Sequence, residues 1–360
     1  MEIYILDSNY ERIGMIDSAE SILWTRRYND IGDAEIYIEC TSEYVEWLKK
    51  GHYLYRSDED MLCKIETAEI TTSVEEGDYI IATASDFCKV LSNRIVVTPF
   101  VFSGNVTDFI KKLLNENVIS TSIGKRCIPN FKIDESNFTE LTAKIDISVA
   151  NDDVGSLIIS TCKSANYGFK ATYNISEGVF TFSLYNGKNK ASAMGDEYIE
   201  FSPDFANIVT SSYKEDESLY KNVVYISYKN QDETVSILTM YRNGEEPEAE
   251  DRREMFVDAT GQSWKVKEGE AERTLSRDEF MEIINTIGEQ AFIDNDKSQS
   301  FTGEVDTVDS YEFKTDYDLG DIVNALDDYG NQGNARITEI IESEDADNVY
   351  QVEPKFEFVN

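Results

Sequence analysis

Alternation of apolar and polar residues dominates both ends of this 360-residue chain. Residues 34–38 alternate as a half-buried strand does, and residues 62–72 and 78–84 predict a hairpin across the polar turn at 73–77. Because side chains on a strand point to opposite faces in turn, this pattern constrains the chain to sheets with one covered face. Further strands near the end are predicted at residues 300–305, 311–314, 321–325, 335–342 and 349–358.

Helical spacing is clearest between these two regions, and short helices are also predicted at residues 42–50 and 85–92. Residues 106–117 and 153–165 each gather apolar side chains on one helical face, and Ser276 with Glu279 forms a capping box that opens a third helix. Together with the flanking strands, this order predicts an α+β fold that is mainly β. Strands in the middle of the chain are predicted at residues 169–173, 179–185, 208–213, 219–229 and 234–242.

The chain is strongly acidic. It carries 70 Asp and Glu against 33 Lys and Arg, a formal net charge of −37. Aromatic residues make up 12% of the sequence, which argues against disorder because disordered acidic chains lack aromatics. Binding to a nucleic-acid backbone or to anionic lipid needs a basic surface, so the charge excludes both as main functions.

Side chains that carry familiar chemistry are scarce. His52 is the single histidine and follows Gly51 at a predicted strand entry, so a two-histidine zinc site is excluded. The five cysteines are widely spaced, which indicates reduced thiols. The calcium-loop-like segment from Asp294 has Gln299 and Val305 where such a loop needs Gly and Glu. We therefore expect no catalytic, cofactor or metal site, and no run reaches the ~18–20 apolar residues of a membrane span.

Two stretches of the chain resemble each other weakly. Residues 51–84 run as strand, polar turn, longer strand, acidic turn and strand, and residues 320–353 follow the same order. Either an internal duplication or an ordinary series of hairpins would produce this similarity.

A set of short segments resembles the siphophage and prophage tail-hub family. Residues 24–28 (WTRRY) followed by 32–38 (GDAEIYI) are similar to its N-terminal signature. The later family segments follow in order over nearly the whole chain. They are matched here by residues 51–54, 92–95, 251–259, 300–304, 317–323, 335–339 and 350–354.

The resemblance implies a structural protein and no enzyme. It implies two similar β-barrel or sandwich hub domains with α+β insert domains, in a ring-forming architecture. It implies a homotrimer at the tip of a virion tail, made in the host cytoplasm, that joins the hexameric distal tail protein and lets DNA pass as cargo. Other expected partners are the tape-measure protein and tail-tip or receptor-binding proteins. Since the chain stops at Asn360, just after the last hub-like strand, we expect the hub alone.

The expected domains follow the same resemblance. Residues 1–98 form the first hub domain, completed by strands at about 205–242. Residues 99–204 form an α+β insert, residues 243–299 a loop and helical insert, and residues 300–360 the second hub domain.

Contacts between subunits or with the distal tail protein are predicted at Trp24, Arg26, Arg27 and Tyr28, because aromatic and Arg residues are enriched in interfaces. The alternative is a core Trp24 with local salt bridges of the two arginines. Arg252 and Arg253 are further candidates, or they only neutralise an acidic loop.

Three other functions stay open from the residues. They are a receptor-binding tail protein, a cell-wall glycosidase of the tail-lysin type that uses two carboxylates, and an acidic DNA mimic. If the chain forms a tail hub, its acidity predicts a pore face rich in Asp and Glu, which would repel passing DNA.

Overall fold

The computed structural model describes residues 1–74, 77–150, 152–192, 197–205, 207–268, 271–305, 311–327 and 329–359. Within these ranges the chain forms twenty-three strands and four α-helices, which confirms a mainly β fold of the α+β class. The predicted turn at 73–77 lies partly outside the described residues, at 75 and 76.

The N-terminal part is a meander of strands. In the strand predicted at residues 34–38, Ala34, Ile36 and Ile38 are buried while the residues between them are half-buried, as the alternation requires. The elements are β1 (Ile3–Leu6), β2 (Arg12–Ile16), β3 (Ser21–Arg27), β4 (Asp33–Glu39), α1 (Ser42–Trp47), β5 (Tyr53–Arg56), β6 (Met61–Ser73) and β7 (Gly77–Asp86).

An α+β insert follows. Its helices bury Phe109, Leu113 and Ile158 against a core that also includes Tyr53 and Phe87 of the first part. The insert therefore packs directly on the strands that precede it. Its elements are β8 (Phe100–Asn105), α2 (Val106–Leu114), β9 (Phe131–Asp134), β10 (Lys144–Val149), α3 (Val154–Ala165), β11 (Gly168–Asn174) and β12 (Val179–Tyr185).

In the described part of the chain, seven strands and a helix follow the insert, and completion of the first hub domain by strands at about 205–242 stays a prediction. The strands are β13 (Glu200–Phe201), β14 (Ile208–Asp216), β15 (Val223–Lys229), β16 (Val235–Tyr241), β17 (Glu254–Asp258), β18 (Lys265–Glu268) and β19 (Ala271–Thr274), followed by α4 (Arg277–Asp294). Strands β15, β16 and β17 form their own sheet under α4, with Val224, Ile226, Phe280 and Ile284 in the core. This sheet crosses the expected boundary at residue 243, because β15 pairs in parallel with β17. The capping box of Ser276 and Glu279 is confirmed.

The last strands are β20 (Ser298–Val305), β21 (Ile322–Leu326), β22 (Gln332–Asp345) and β23 (Tyr350–Phe358). The prediction of a strand at residues 311–314 is wrong. Residues from Tyr311 to Lys314 form a loop with one isolated bridge, Phe313 to Tyr317, because Lys314 adopts a left-handed φ of 71° that ends extended backbone.

One sheet runs through both ends of the chain. Its strand order is β14, β20, β23, β22, β3, β4, β7, β6, β5, β1, β2, with β21 added on β22 and β13 on β21. We call β3, β4, β5, β6 and β7 the first β unit, and β14, β20, β21, β22 and β23 the second β unit. The two units meet where β22 pairs with β3.

Strand pairing in the two units has the same register. In the first unit Cys63 pairs with Asp86, and in the second Ala335 pairs with Phe358. The ladder of the first unit shifts between Ile65 and Thr67, and that of the second between Ile337 and Glu339. The same difference in residue number separates Cys63 from Ala335, Asp86 from Phe358, and the bulge of the first unit from that of the second. A bulge fixes local twist and register, so two bulges at equivalent positions indicate a duplicated unit.

Equivalent glycines begin the shared pattern. Gly51 has a φ of 92° and Gly320 a φ of 93°. The Gly51 amide donates to the Ile65 carbonyl at 2.9 Å, and the Gly320 amide donates to the Ile337 carbonyl at 2.8 Å. Only glycine adopts this backbone region without strain, so both units use the same entry turn.

Candidate subunit and tail interface

Four of the six predicted interface residues lie at or beside the seam between the β units. Strand β3 pairs antiparallel with β22, so that Trp24 faces Glu342 and Arg27 faces Glu339. The Tyr28 amide extends the ladder by donating to the Thr338 carbonyl at 2.9 Å.

Trp24 and Tyr28 are fully buried within the chain. The Tyr28 hydroxyl donates to the Asn166 carbonyl at 2.8 Å, and its ring meets Tyr185 of the insert edge to face. These two side chains therefore hold the β units and the insert together, and neither offers surface to a partner in this conformation. A subunit contact by them stays a prediction that would need the seam to rearrange.

A buried ion network crosses the seam. Glu342 has no exposed surface, and its carboxylate contacts Arg26 and lies 3.0 Å from Nη1 of Arg56. The Tyr350 hydroxyl donates to the same carboxylate at 2.6 Å. Arg56 also binds Asp58 at 2.6 Å. Breaking such a network by removing one member leaves an uncompensated buried charge, which is strongly destabilising.

The charges at the seam shift one another's pKa values. Burial by itself would raise the pKa of Glu342, but the guanidinium groups of Arg26 and Arg56 outweigh it and hold the pKa below its ordinary value. Burial would lower the pKa of Arg56, and Glu342 with Asp58 raises it instead. Glu342 and Arg56 are therefore both charged at neutral pH.

A second set of ion pairs surrounds this centre. Arg26 contacts Glu59, and Glu59 contacts Lys314 on the loop before β21. Arg27 reaches Asp33 in its own unit and Glu339 across the seam at 2.6 Å. The Arg27 side chain stays 30% exposed, so among the four predicted residues at the seam it is the one that a partner could still reach.

Arg252 and Arg253 lie in a separate place, beside the sheet of β15, β16 and β17. Arg252 contacts Glu254, lies 2.8 Å from Glu246 and donates to the Tyr225 hydroxyl at 2.8 Å. Arg253 donates to the Glu217 carbonyl at 2.8 Å. Arg252 thus links the acidic loop to the sheet, while Arg253 binds the residue after β14. An interface role for the two arginines stays a prediction.

The sequence did not single out Arg56, Glu59 or Glu342, although they complete the seam. One signal was available. Glu342 falls in a strand whose residues on the same face, Ile340 and Val352 opposite, are apolar, so its position is a core position. A carboxylate at a core position requires a buried cation.

The described residues contain no group of three or more His, Cys, Asp or Glu side chains placed to hold a metal ion. His52, half-buried at the strand entry, has its Nδ1 2.9 Å from the Trp47 carbonyl. Among the helices in the described ranges, none is both long and apolar enough to cross a membrane.

Comparisons with known proteins agree with this architecture. Residues 2–356 match the family model described as Siphovirus ReqiPepy6 Gp37-like protein. The tail protein from Neisseria meningitidis MC58 is similar in structure, with a TM-score of 0.54 and 10% identity, over 99% of this chain and 95% of that one. The 43 kDa tail protein of prophage MuSo2 from Shewanella oneidensis gives a TM-score of 0.53 at 10% identity, over 99% and 98% of the two chains. Among curated proteins none matches the sequence. At these identities the structural likeness shows a shared fold.

Proposed function

The chain belongs to the Siphovirus ReqiPepy6 Gp37-like family of tail proteins, and we propose that it is the hub of a phage or prophage tail tip. In this proposal three copies form a ring that joins the tail tube to the tip. Its partners are the hexameric distal tail protein above and tape-measure, tail-tip or receptor-binding proteins at the centre and below.

The repeated register of the two β units carries the proposal. A chain with two equivalent units side by side presents two copies of nearly the same surface. Three such chains present six, and six equivalent surfaces match a partner with sixfold symmetry. A ring of this kind needs head-to-tail contacts that close after three copies.

The buried seam suits a part that transmits load. Because Arg26, Arg56 and Glu342 are ion-paired out of water, sliding β3 along β22 would separate buried charges. The two units of one chain therefore behave as one rigid body, which fixes the angle between them. A fixed angle is what sets the number of copies in a closed ring.

The acidity is consistent with a conduit. In our proposal part of the net charge of −37 per chain faces the pore, where carboxylates repel DNA phosphates. A wall that repels phosphates avoids the counter-ion release that would trap DNA on a basic surface. This pore is structural and needs no catalytic group.

Electron microscopy of tail particles that contain the chain tests the proposal. A gold-labelled antibody against the chain should mark the tip, and averaged end views should show three copies. Label along the tube, or on fibres away from the axis, would contradict a hub. Label on the tip with hydrolysis of purified peptidoglycan by the isolated chain would favour the glycosidase instead.

A further inference from the structure

We infer that copies of this chain join through an antiparallel strand pair, in which residues 67–73 of β6 from one copy bind β14 of the next. The inference rests on the proposed ring and names the contact that closes it. The expected register places Glu69 opposite Lys214 and Ile70 opposite Tyr213.

The seam inside the chain is the source of this register. Strand β22 of the second unit pairs with β3 of the first, with Ile341 facing Thr25 and Glu342 facing Trp24. The strand equivalent to β22 in the first unit is β6, and the constant difference in residue number between the units makes Ile341 equivalent to Glu69 and Glu342 equivalent to Ile70.

The strand equivalent to β3 in the second unit is β14. In the first unit the ladder runs from Ser85 to Asp33 to Thr25. In the second unit the equivalent ladder runs from Glu357 to Ser300 to Lys214. Lys214 is therefore equivalent to Thr25, and Tyr213 to Trp24. Each chain has one such seam inside it and the two matching edges for a second seam at its ends.

Both edges lack a neighbour in the described part of the chain. Residues 67–72 of β6 pair with β7 on one side, and no described strand pairs with the other side. Strand β14 pairs with β20 alone. Native proteins often shield long edge strands with Lys or Pro, yet the stretch of β6 that follows its bulge is Thr-Ala-Glu-Ile-Thr-Thr-Ser. Ile70 is 49% exposed on it.

A groove beside this edge fits the incoming strand. It has a volume of about 470 Å³ and lies between α1 and β6. Val45 and Ile70 contribute apolar surface, which suits the ring of Tyr213 opposite Ile70. Burying Ile70 there would remove an apolar side chain from water.

Charge also favours this pairing. Lys49 and Lys50 line the groove near residues 67 and 68 of β6. In the expected register Glu215 and Asp216 of the next copy arrive opposite those residues. The Lys214 side chain is 66% exposed and lies 2.6 Å from Asp216 on its own strand, and Glu69 is exposed. In the joined edges Lys214 would therefore bind Glu69 of the next copy together with Asp216, or in its place. A seam of opposite charges offsets part of the repulsion between acidic chains.

Cysteine cross-linking of the full chain tests the register. The double variant Glu69→Cys with Lys214→Cys, made with Cys40→Ser and Cys127→Ser, should form disulfide-linked oligomers up to a trimer under mild oxidation. The matched control, Glu69→Cys with Tyr213→Cys, is one residue out of register. Its side chains point to opposite faces of the sheet, so it should stay unlinked. Equal linking of both pairs, or of neither, overturns the inference.

Light scattering of the same samples separates the two proposals. A trimer without the expected link overturns the seam and leaves the ring. A chain that is neither trimeric nor linked overturns both.

Exchanging the two charges of the Glu69–Lys214 pair tests the same contact without oxidation. Lys214→Glu and Glu69→Lys should each raise the concentration for half-assembly several-fold, and the double variant should restore it toward wild type. Additive weakening in the double variant would contradict the predicted pair.

Discussion

The carboxylate of Glu342 lies 3.0 Å from Nη1 of Arg56, which joins the second β unit to the first inside the core of the chain. The two residues are far apart in sequence, and neither is exposed beyond 4%. This contact, with Arg26 on the same carboxylate, fixes how the two units sit edge to edge.

Removing the Glu342 charge should destabilise the chain strongly. Glu342→Gln keeps the size of the side chain but leaves Arg26 and Arg56 without their shared anion, at a cost of about 3–5 kcal/mol in the free energy of unfolding. The matched control is Glu46→Gln, which breaks an exposed pair with Lys49 and should cost less than about 1 kcal/mol. Urea unfolding of both variants measures the difference. Equal small losses would show that the seam charges are not buried.

The same carboxylate predicts how stability depends on pH. The folded-state pKa of Glu342 lies below its ordinary value of about 4.3, so the unfolded chain binds the proton more tightly. The contribution of Glu342 to the free energy of unfolding is complete at pH values above its ordinary pKa. It is lost as the pH falls through the lower folded-state pKa. Unfolding midpoints measured from pH 6 to pH 3 should therefore fall more steeply for wild type than for Glu342→Gln. Parallel curves would contradict the assignment.

The equivalent glycines separate backbone strain from packing. An added Cβ at Gly51 meets no atom within 4 Å, so Gly51→Ala should cost only the strain of its positive φ, about 1–2 kcal/mol. At Gly320 the Cβ would lie 2.2 Å from Cε2 of the buried Tyr28. Gly320→Ala should therefore lose about 1–3 kcal/mol more. Thermal unfolding of the two variants checks the order, and an equal loss would mean that Tyr28 can move aside.

Salt should strengthen assembly. Each chain brings a net charge of −37 to the ring, and mobile ions screen the repulsion between chains. We expect the concentration for half-assembly to fall as NaCl rises from about 20 to about 300 mM, a range over which the Debye length shortens severalfold. Sedimentation experiments at neutral pH measure this concentration. Weaker assembly at high salt would mean that ion pairs between neighbouring copies outweigh the overall repulsion between the chains.

The sequence predicted the fold better than the contacts of its interface residues. Alternating apolar residues located the strands around Ile36 and Ile337 because those strands have one covered face. The similarity of residues 51–84 and 320–353 likewise pointed to the two β units, whose shared bulges were visible only in the structure.

The seam between the β units does not follow the alternation of apolar and polar residues. Residues 24–27 place two arginines where a buried strand should be apolar, and those charges are buried only because Glu342 arrives from the other end of the chain. The parallel pairing of β15 with β17 was missed for a related reason, since local periodicity does not report which distant strand is the neighbour.

The mass of the purified chain in solution tests the central claim most directly. Light scattering at high protein concentration and moderate salt should give three times the chain mass of 41.0 kDa. A single species of 41.0 kDa under all these conditions would contradict a ring that assembles from the chain's own edges.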